Sequence, residues 1–127
     1  MVIHQSFADF VLFLYVHIAH ADDDFHQAEL GVIREKMSKL YPFDDKIEER
    51  LQAAIKEYKA FDKSKLRILF KDTFSYFPHI KFAQKYKVYA DMYDIVTADG
   101  EVDEAETQAL AELKEIIDIS AEASHQG

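Results

Sequence analysis

The chain carries one acidic pattern twice, and this repetition is the strongest constraint on its fold. Residues 98–106, ADGEVDEAE, follow one apolar helical pattern and precede another. Residues 21–29, ADDDFHQAE, stand in the same arrangement 77 positions earlier. Two copies of a helix–acidic turn–helix unit predict an all-α domain, a compact bundle of about six to seven helices with internal pseudo-twofold duplication.

The composition agrees with this class. A chain of 127 residues is long enough to bury one core, and only 3 Gly and 2 Pro favour long helices joined by short turns. The absence of Cys excludes disulfides, thiolate zinc sites and Cys nucleophiles. We predict one domain over residues 1–119 and a short terminal turn with a frayed tail over 120–127.

The apolar periodicity predicts six helices. Residues 4–21 are apolar almost all round, which is typical of a central buried helix. Asp44 or Asp45 is expected to begin the third helix, and Asp62 or Ser64 the fourth. The other predicted helices span about 26–40, 80–98 and 103–118. In the fifth helix, the aromatic stripe Phe82, Tyr86, Tyr89 and Tyr93 is predicted to face the core.

The net charge is −9, but it is unevenly distributed. Residues 46–87 contain 11 of the 15 Lys and Arg residues and only 5 of the 24 acidic ones. This basic middle segment gives the molecule a large charge dipole if it folds to a different face from the acidic portions. Alternatively, its charged side chains only keep exposed helix faces hydrated. Nucleic acid is excluded as a partner because most of the surface would repel phosphate. No Lys or Arg precedes Arg34, so the apolar N-terminal stretch is not a signal peptide, and we expect a cytoplasmic protein.

The acidic turns are candidate sites for a hard divalent cation, calcium or magnesium more than zinc, because such ions bind converging oxygens. Helix capping accounts for Asp103, Glu106 and Glu29. It does not account for Asp22 and Asp99, which follow helices whose C-terminal ends disfavour negative charge. A metal ion, a Lys of the basic middle segment, or solvent would offset that repulsion.

The sequence also bears on two other kinds of metal site, an EF-hand loop and a histidine site. An EF-hand loop aligned on Gly100 would need carboxylates at Ile95 and Thr97, so it is absent. His17, His20 and His26 would suit zinc, iron or nickel together with a carboxylate, and a metal-dependent enzyme would need a concave pocket there. A His on an apolar helix is more often a hydrogen-bonded core residue. No other catalytic motif is present.

Residues 95–106, IVTADGEVDEAE, and the equivalent stretch 19–29, AHADDDFHQAE, are similar to the signature of the TerB-like family of tellurite-resistance proteins. The resemblance implies a compact helical domain whose acidic residues bind a divalent metal, with links to tellurite resistance and to membrane-associated stress complexes. Two departures from the family pattern weaken the first turn, Asp23 in place of Gly and His26 in place of an acid. The candidate metal ligands are Asp22, Asp24, Glu29, Asp99, Glu101, Asp103 and Glu106.

Our main hypothesis is therefore a non-enzymatic module that binds or senses a divalent metal and acts through a protein partner. The alternative is a metal-free protein–protein scaffold, which would use the acidic face and the basic middle segment as docking surfaces. The sequence leaves the oligomeric state open.

Overall fold

The computed structural model describes residues 4, 6–20, 27–77, 79–98, 100, 102 and 104–126, with side chains up to Ile117. Within these ranges the chain forms six α-helices and no strand, which confirms the predicted all-α class. A short 3₁₀ helix, Lys63–Lys65, precedes the fourth α-helix. The α-helices are α1 Phe7–Ala19, α2 Gln27–Leu40, α3 Ile47–Ala60, α4 Leu66–Tyr76, α5 Phe82–Val96 and α6 Glu104–Gln126.

Helix α1 is the centre of the bundle, as its sequence predicts. Every residue from Phe10 to Val16 is buried, so all sides of this part of the helix need neighbours. Helices α2, α3, α5 and α6 supply them. Aromatic rings fill the remaining space: Phe10 meets Phe74 of α4 edge-on at 5.1 Å, and Phe13 meets Tyr58 of α3 at 5.5 Å.

The predicted helix starts are partly confirmed. The Asp62 carboxylate accepts hydrogen bonds from the amide and the hydroxyl of Ser64, at 3.0 and 2.8 Å, and so caps the 3₁₀ helix. Asp44 accepts from the amide of Lys46 at 2.7 Å, just before α3. Helix α6 continues to Gln126, beyond the predicted end at residue 118. The domain boundary at residue 119 and the internal duplication stay predictions.

Most of the aromatic stripe of α5 does not face the core, so that prediction was wrong for three of its four residues; Tyr89 is half-buried against the core. Phe82, Tyr86 and Tyr93 are 45%, 38% and 52% exposed. The core face of α5 lies about a quarter-turn away and consists of the buried residues Val88, Met92, Ile95 and Val96. Both faces have helical spacing, and the aliphatic one packs against α1. Tyrosine side chains can lie at the surface because the hydroxyl group of each one can form hydrogen bonds with water.

Candidate metal-binding site at the acidic turns

The structure describes two of the seven candidate ligands, Glu29 and Glu106. Each lies in the first turn of its helix, α2 or α6, where the positive end of the helix dipole favours a carboxylate. Glu29 is 0% and Glu106 is 3% exposed. The other candidates lie outside the described residues, namely Asp22, Asp24, Asp99, Glu101 and Asp103.

The burial of Glu29 and Glu106 goes beyond what capping needs. Capping side chains can remain in water, whereas a glutamate is almost never fully buried unless its charge is compensated. The two residues are equivalent in the alignment of the two acidic turns, and both are buried in the first turn of a helix. This burial was not predicted, since the sequence only indicated that both residues start helices.

The chain turns after α5 at Gly100. Gly100 has φ +84°, in the left-handed region that glycine adopts without steric cost. Its amide donates to the carbonyl of Thr97 at 3.0 Å. The hydroxyl of Thr97 donates in turn to the carbonyl of Tyr93 at 3.0 Å, so the end of α5 is well supplied with hydrogen bonds.

A cleft of about 300 Å³ lies where the end of α1 meets the start of α6. His20, the last described residue before the first acidic turn, lines it together with Ala105, near the start of α6. The chain entering the first turn and the chain leaving the second therefore border one cleft. We call it the histidine cleft, and its lining is His17, His20, Tyr58, Lys63, Leu66, Ala105, Gln108, Ala109 and Glu112.

Within the histidine cleft, His17 behaves as a core residue. Its Nδ1 lies 2.9 Å from the hydroxyl of Tyr58, and its ring packs edge-on against Phe70 at 4.9 Å. Burial, together with the nearby charges of Lys63 and His20, lowers the pKa of His17 to about 4. His17 is therefore neutral at physiological pH, as expected for a hydrogen-bonded histidine.

The wall of this cleft already carries a positive charge, which belongs to the side chain of Lys63. The ammonium group of Lys63 lies 3.8 Å above the ring of Tyr58 and donates to the carbonyls of Tyr58 and Phe61. A transition metal bound by His17 and His20 would be repelled by this charge. No group of three or more His, Cys, Asp or Glu side chains placed to hold a metal ion occurs among the described residues, and His26 lies outside them.

The cleft residues from other helices were not recognised in the sequence as a site. Tyr58 and Lys63 are 41 and 46 positions from His17 in the chain, and nothing local connects them. Ala105, Gln108 and Glu112 are spaced so that they share one face of α6, which was the only available signal. That spacing did not indicate which helix the face would meet.

Comparison with known proteins settles the family. A family model described as tellurite resistance protein TerB matches residues 8–126, nearly the whole chain. The chain belongs to the TerB family. The resemblance of the two acidic turns to that family is thereby confirmed. No curated protein and no solved structure matches.

One further property of the TerB domain follows from its helices. Among the described residues, no helix combines the length and the apolar character needed to cross a membrane.

Proposed function

We propose that this TerB-family domain is a non-enzymatic, cytoplasmic module that binds a divalent cation, calcium or magnesium, at its acidic turns. Binding would change the surface that it presents to a protein partner. The observation that carries this proposal is the burial of Glu29 and Glu106 at equivalent positions beside the two turns. Buried carboxylates are characteristic of structural or cation-binding sites and cost free energy elsewhere.

Two further features support a shared site. His20 before the first acidic turn and Ala105 after the second both line the histidine cleft, and this proximity supports one site shared by the two copies. The chain has no Cys, and His17 is held by Tyr58, so the available ligands are mostly oxygens. Oxygen ligands favour calcium and magnesium over zinc. By family, the module would act in tellurite resistance and in membrane-associated stress complexes.

The test is thermal unfolding of the protein after treatment with EDTA, with millimolar calcium, magnesium, manganese or zinc then added. Calcium at about 100 times its dissociation constant should stabilise the fold by about 2.7 kcal/mol and raise Tm by several degrees. Glu29→Gln and Glu106→Gln should abolish most of that shift. Glu35→Gln and Glu104→Gln, two exposed carboxylates on α2 and α6, are the matched controls. Identical melting curves in EDTA and in all four cations would refute metal binding.

The second copy should hold the ion more tightly, because Gly100 adopts its left-handed turn without steric cost, whereas the equivalent position of the sequence in the first copy is Asp23. Asp99→Asn should therefore weaken calcium binding more than Asp22→Asn, as measured by isothermal titration calorimetry. Equal losses would indicate that both carboxylates contact one ion.

A metal-free protein–protein scaffold is the second candidate, and the exposed aromatic stripe of α5 favours it. The rings of Phe82, Tyr86 and Tyr89 contact one another in sequence at a tilt of 51°, with centroids 5.4 and 5.6 Å apart. Aromatic residues are enriched in protein interfaces. Partner capture that persists in EDTA but is lost in Phe82→Ser/Tyr86→Ser would support the scaffold. Capture that requires calcium and survives these substitutions would contradict it.

A further inference from the structure

A second cleft, of about 320 Å³, lies between α1, α2 and α5, and its described lining includes neither Glu29 nor Glu106. It combines apolar and basic side chains, so we call it the lysine cleft. Its volume lies at the lower end of the range of small-molecule sites. It is lined by Phe7, Val11, Tyr15, Lys36, Lys39, Leu40, Gln84, Lys87, Val88 and Asp91.

The lining has an apolar part and a charged part. Phe7 and Val11 of α1, Leu40 of α2 and Val88 of α5 supply apolar surface. Lys36, Lys39 and Lys87 supply three positive charges, against the negative charges of Asp91 in the lining and of Asp94, which pairs with Lys36. A positive cleft on a chain whose net charge is −9 stands out against the rest of the surface, and it favours an anion.

The negative charge of Asp91 is already compensated. Its carboxylate accepts hydrogen bonds from the hydroxyl of Tyr15 at 3.0 Å and from the ammonium groups of Lys36 and Lys87 at 3.1 and 3.2 Å. Burial alone would raise the pKa of Asp91, but these donors outweigh it and hold that pKa below its usual value. Asp91 therefore stays ionised, and it fixes the cleft wall without repelling an incoming anion strongly.

The three lysines differ in the number of ion pairs that each one makes. Lys36 is held by both Asp91 and Asp94, at 3.1 and 3.0 Å. Lys87 shares Asp91 but is largely exposed. Lys39 is exposed and makes no ion pair with any residue that the structure describes. The side chains of Lys39 and Lys87 are therefore able to reorient toward a ligand. The side chain of Lys36 stays in place because two aspartates bind it.

We propose that the lysine cleft binds a small amphiphilic anion, a medium-chain carboxylate whose apolar chain covers Val11, Leu40 and Val88 while its carboxylate pairs with Lys39 and Lys87. An inorganic anion such as phosphate would leave the apolar surface uncovered, so this surface favours an amphiphile, and the lysines repel a cationic one. The volume admits one small molecule and not a folded partner. Binding in this cleft does not depend on metal binding at the acidic turns.

The test is a titration of the ¹⁵N,¹³C-labelled protein with octanoate, below the concentration at which it forms micelles. Octanoate should bind saturably and shift the methyl signals of Val11, Leu40 and Val88. Octanol should bind about tenfold more weakly, because it lacks the charge. Octylammonium and acetate should leave these signals unchanged, since one has the wrong charge and the other lacks the apolar chain.

Variants distinguish the cleft from non-specific binding. Lys39→Gln/Lys87→Gln should weaken octanoate binding about tenfold or more and leave octanol unaffected. Lys56→Gln, an exposed lysine on α3 away from the cleft, is the matched control and should bind as the wild type does. The proposal is overturned if octanol binds as tightly as octanoate, if Lys56→Gln shows the same loss, or if the shifts map elsewhere. Binding to phosphatidylglycerol vesicles without binding of monomeric octanoate would also overturn it, because that result indicates a membrane surface.

Discussion

The hydroxyl of Tyr58 lies 2.9 Å from Nδ1 of His17, and this contact joins α3 to the last turns of the central helix. It fixes the wall of the histidine cleft beside the start of the first acidic turn. Because His17 is neutral in the folded protein, the contact also links the stability of the fold to pH.

Stability should fall as the pH is lowered from about 6.5 to about 4. The pKa of His17 is lowered to about 4 in the folded state, so the unfolded state binds more protons in this interval. The resulting loss is about 3 kcal/mol at most. It is measured as the difference in urea unfolding free energy between wild type and His17→Phe at each pH. His79→Gln, an exposed histidine, should keep the wild-type pH dependence; the same flattening in both variants would contradict this assignment.

Tyr58→Phe should destabilise the fold by about 1–2 kcal/mol, because it leaves Nδ1 of His17 without its hydrogen-bond partner in a largely buried position. His17→Phe/Tyr58→Phe should recover part of this loss, since both polar groups are then absent. A double-mutant cycle from chemical unfolding measures the coupling. Strictly additive effects would show that the two groups do not interact.

Asp91→Asn should cost about 1–3 kcal/mol, because Asp91 accepts hydrogen bonds from Tyr15, Lys36 and Lys87 in a mostly buried position. The pKa of Asp91 is depressed in the folded state, so its contribution is present above the unfolded pKa and lost as the pH falls through the folded one. Chemical unfolding at neutral and acidic pH measures both effects.

The exposed ion pair between Arg67 and Glu115, with an N–O distance of 3.2 Å, is the control for Asp91. Glu115→Gln should change stability by less than about 0.5 kcal/mol, because both side chains are largely in water. Equal losses for Asp91→Asn and Glu115→Gln would mean that the Asp91 network adds nothing beyond a surface pair.

Gly100→Ala should destabilise the fold by about 1 kcal/mol, because φ at Gly100 is +84° and an L side chain is strained there. Gly31→Ala is the opposite case. Gly31 is exposed within α2, and an added Cβ would meet no atom within 4 Å, so alanine should stabilise by about 0.5–1 kcal/mol. Thermal unfolding of both variants measures whether Gly100→Ala loses stability and Gly31→Ala gains it. Stabilisation by Gly100→Ala would exclude the left-handed turn.

The helices were largely predictable because each depends on a local pattern. Residues 10–16 are apolar on every side, and a helix of this kind can only be central. Gly100 marks the turn after α5, since glycine alone adopts positive φ freely. The acidic turns carried enough pattern to indicate the TerB family, which the match over residues 8–126 confirms.

The faces of the helices were less predictable. Helix α5 has an aromatic face and an aliphatic face with the same period, and periodicity does not say which of the two another helix will cover. The aliphatic face containing Val88 and Met92 packs inward, and the aromatic face remains exposed. A local pattern determines that a face exists, whereas packing determines its partner.

The sequence by itself determined the helical class, the order of the helices, the central position of α1 and the turn at Gly100, because these follow from spacing along one helix or from one backbone conformation. Only the tertiary structure decided that Glu29 and Glu106 are buried, that Tyr58 joins His17, and that three lysines meet around one apolar cleft. These relationships join residues tens of positions apart. They depend on how the helices pack, and no local pattern contains that information.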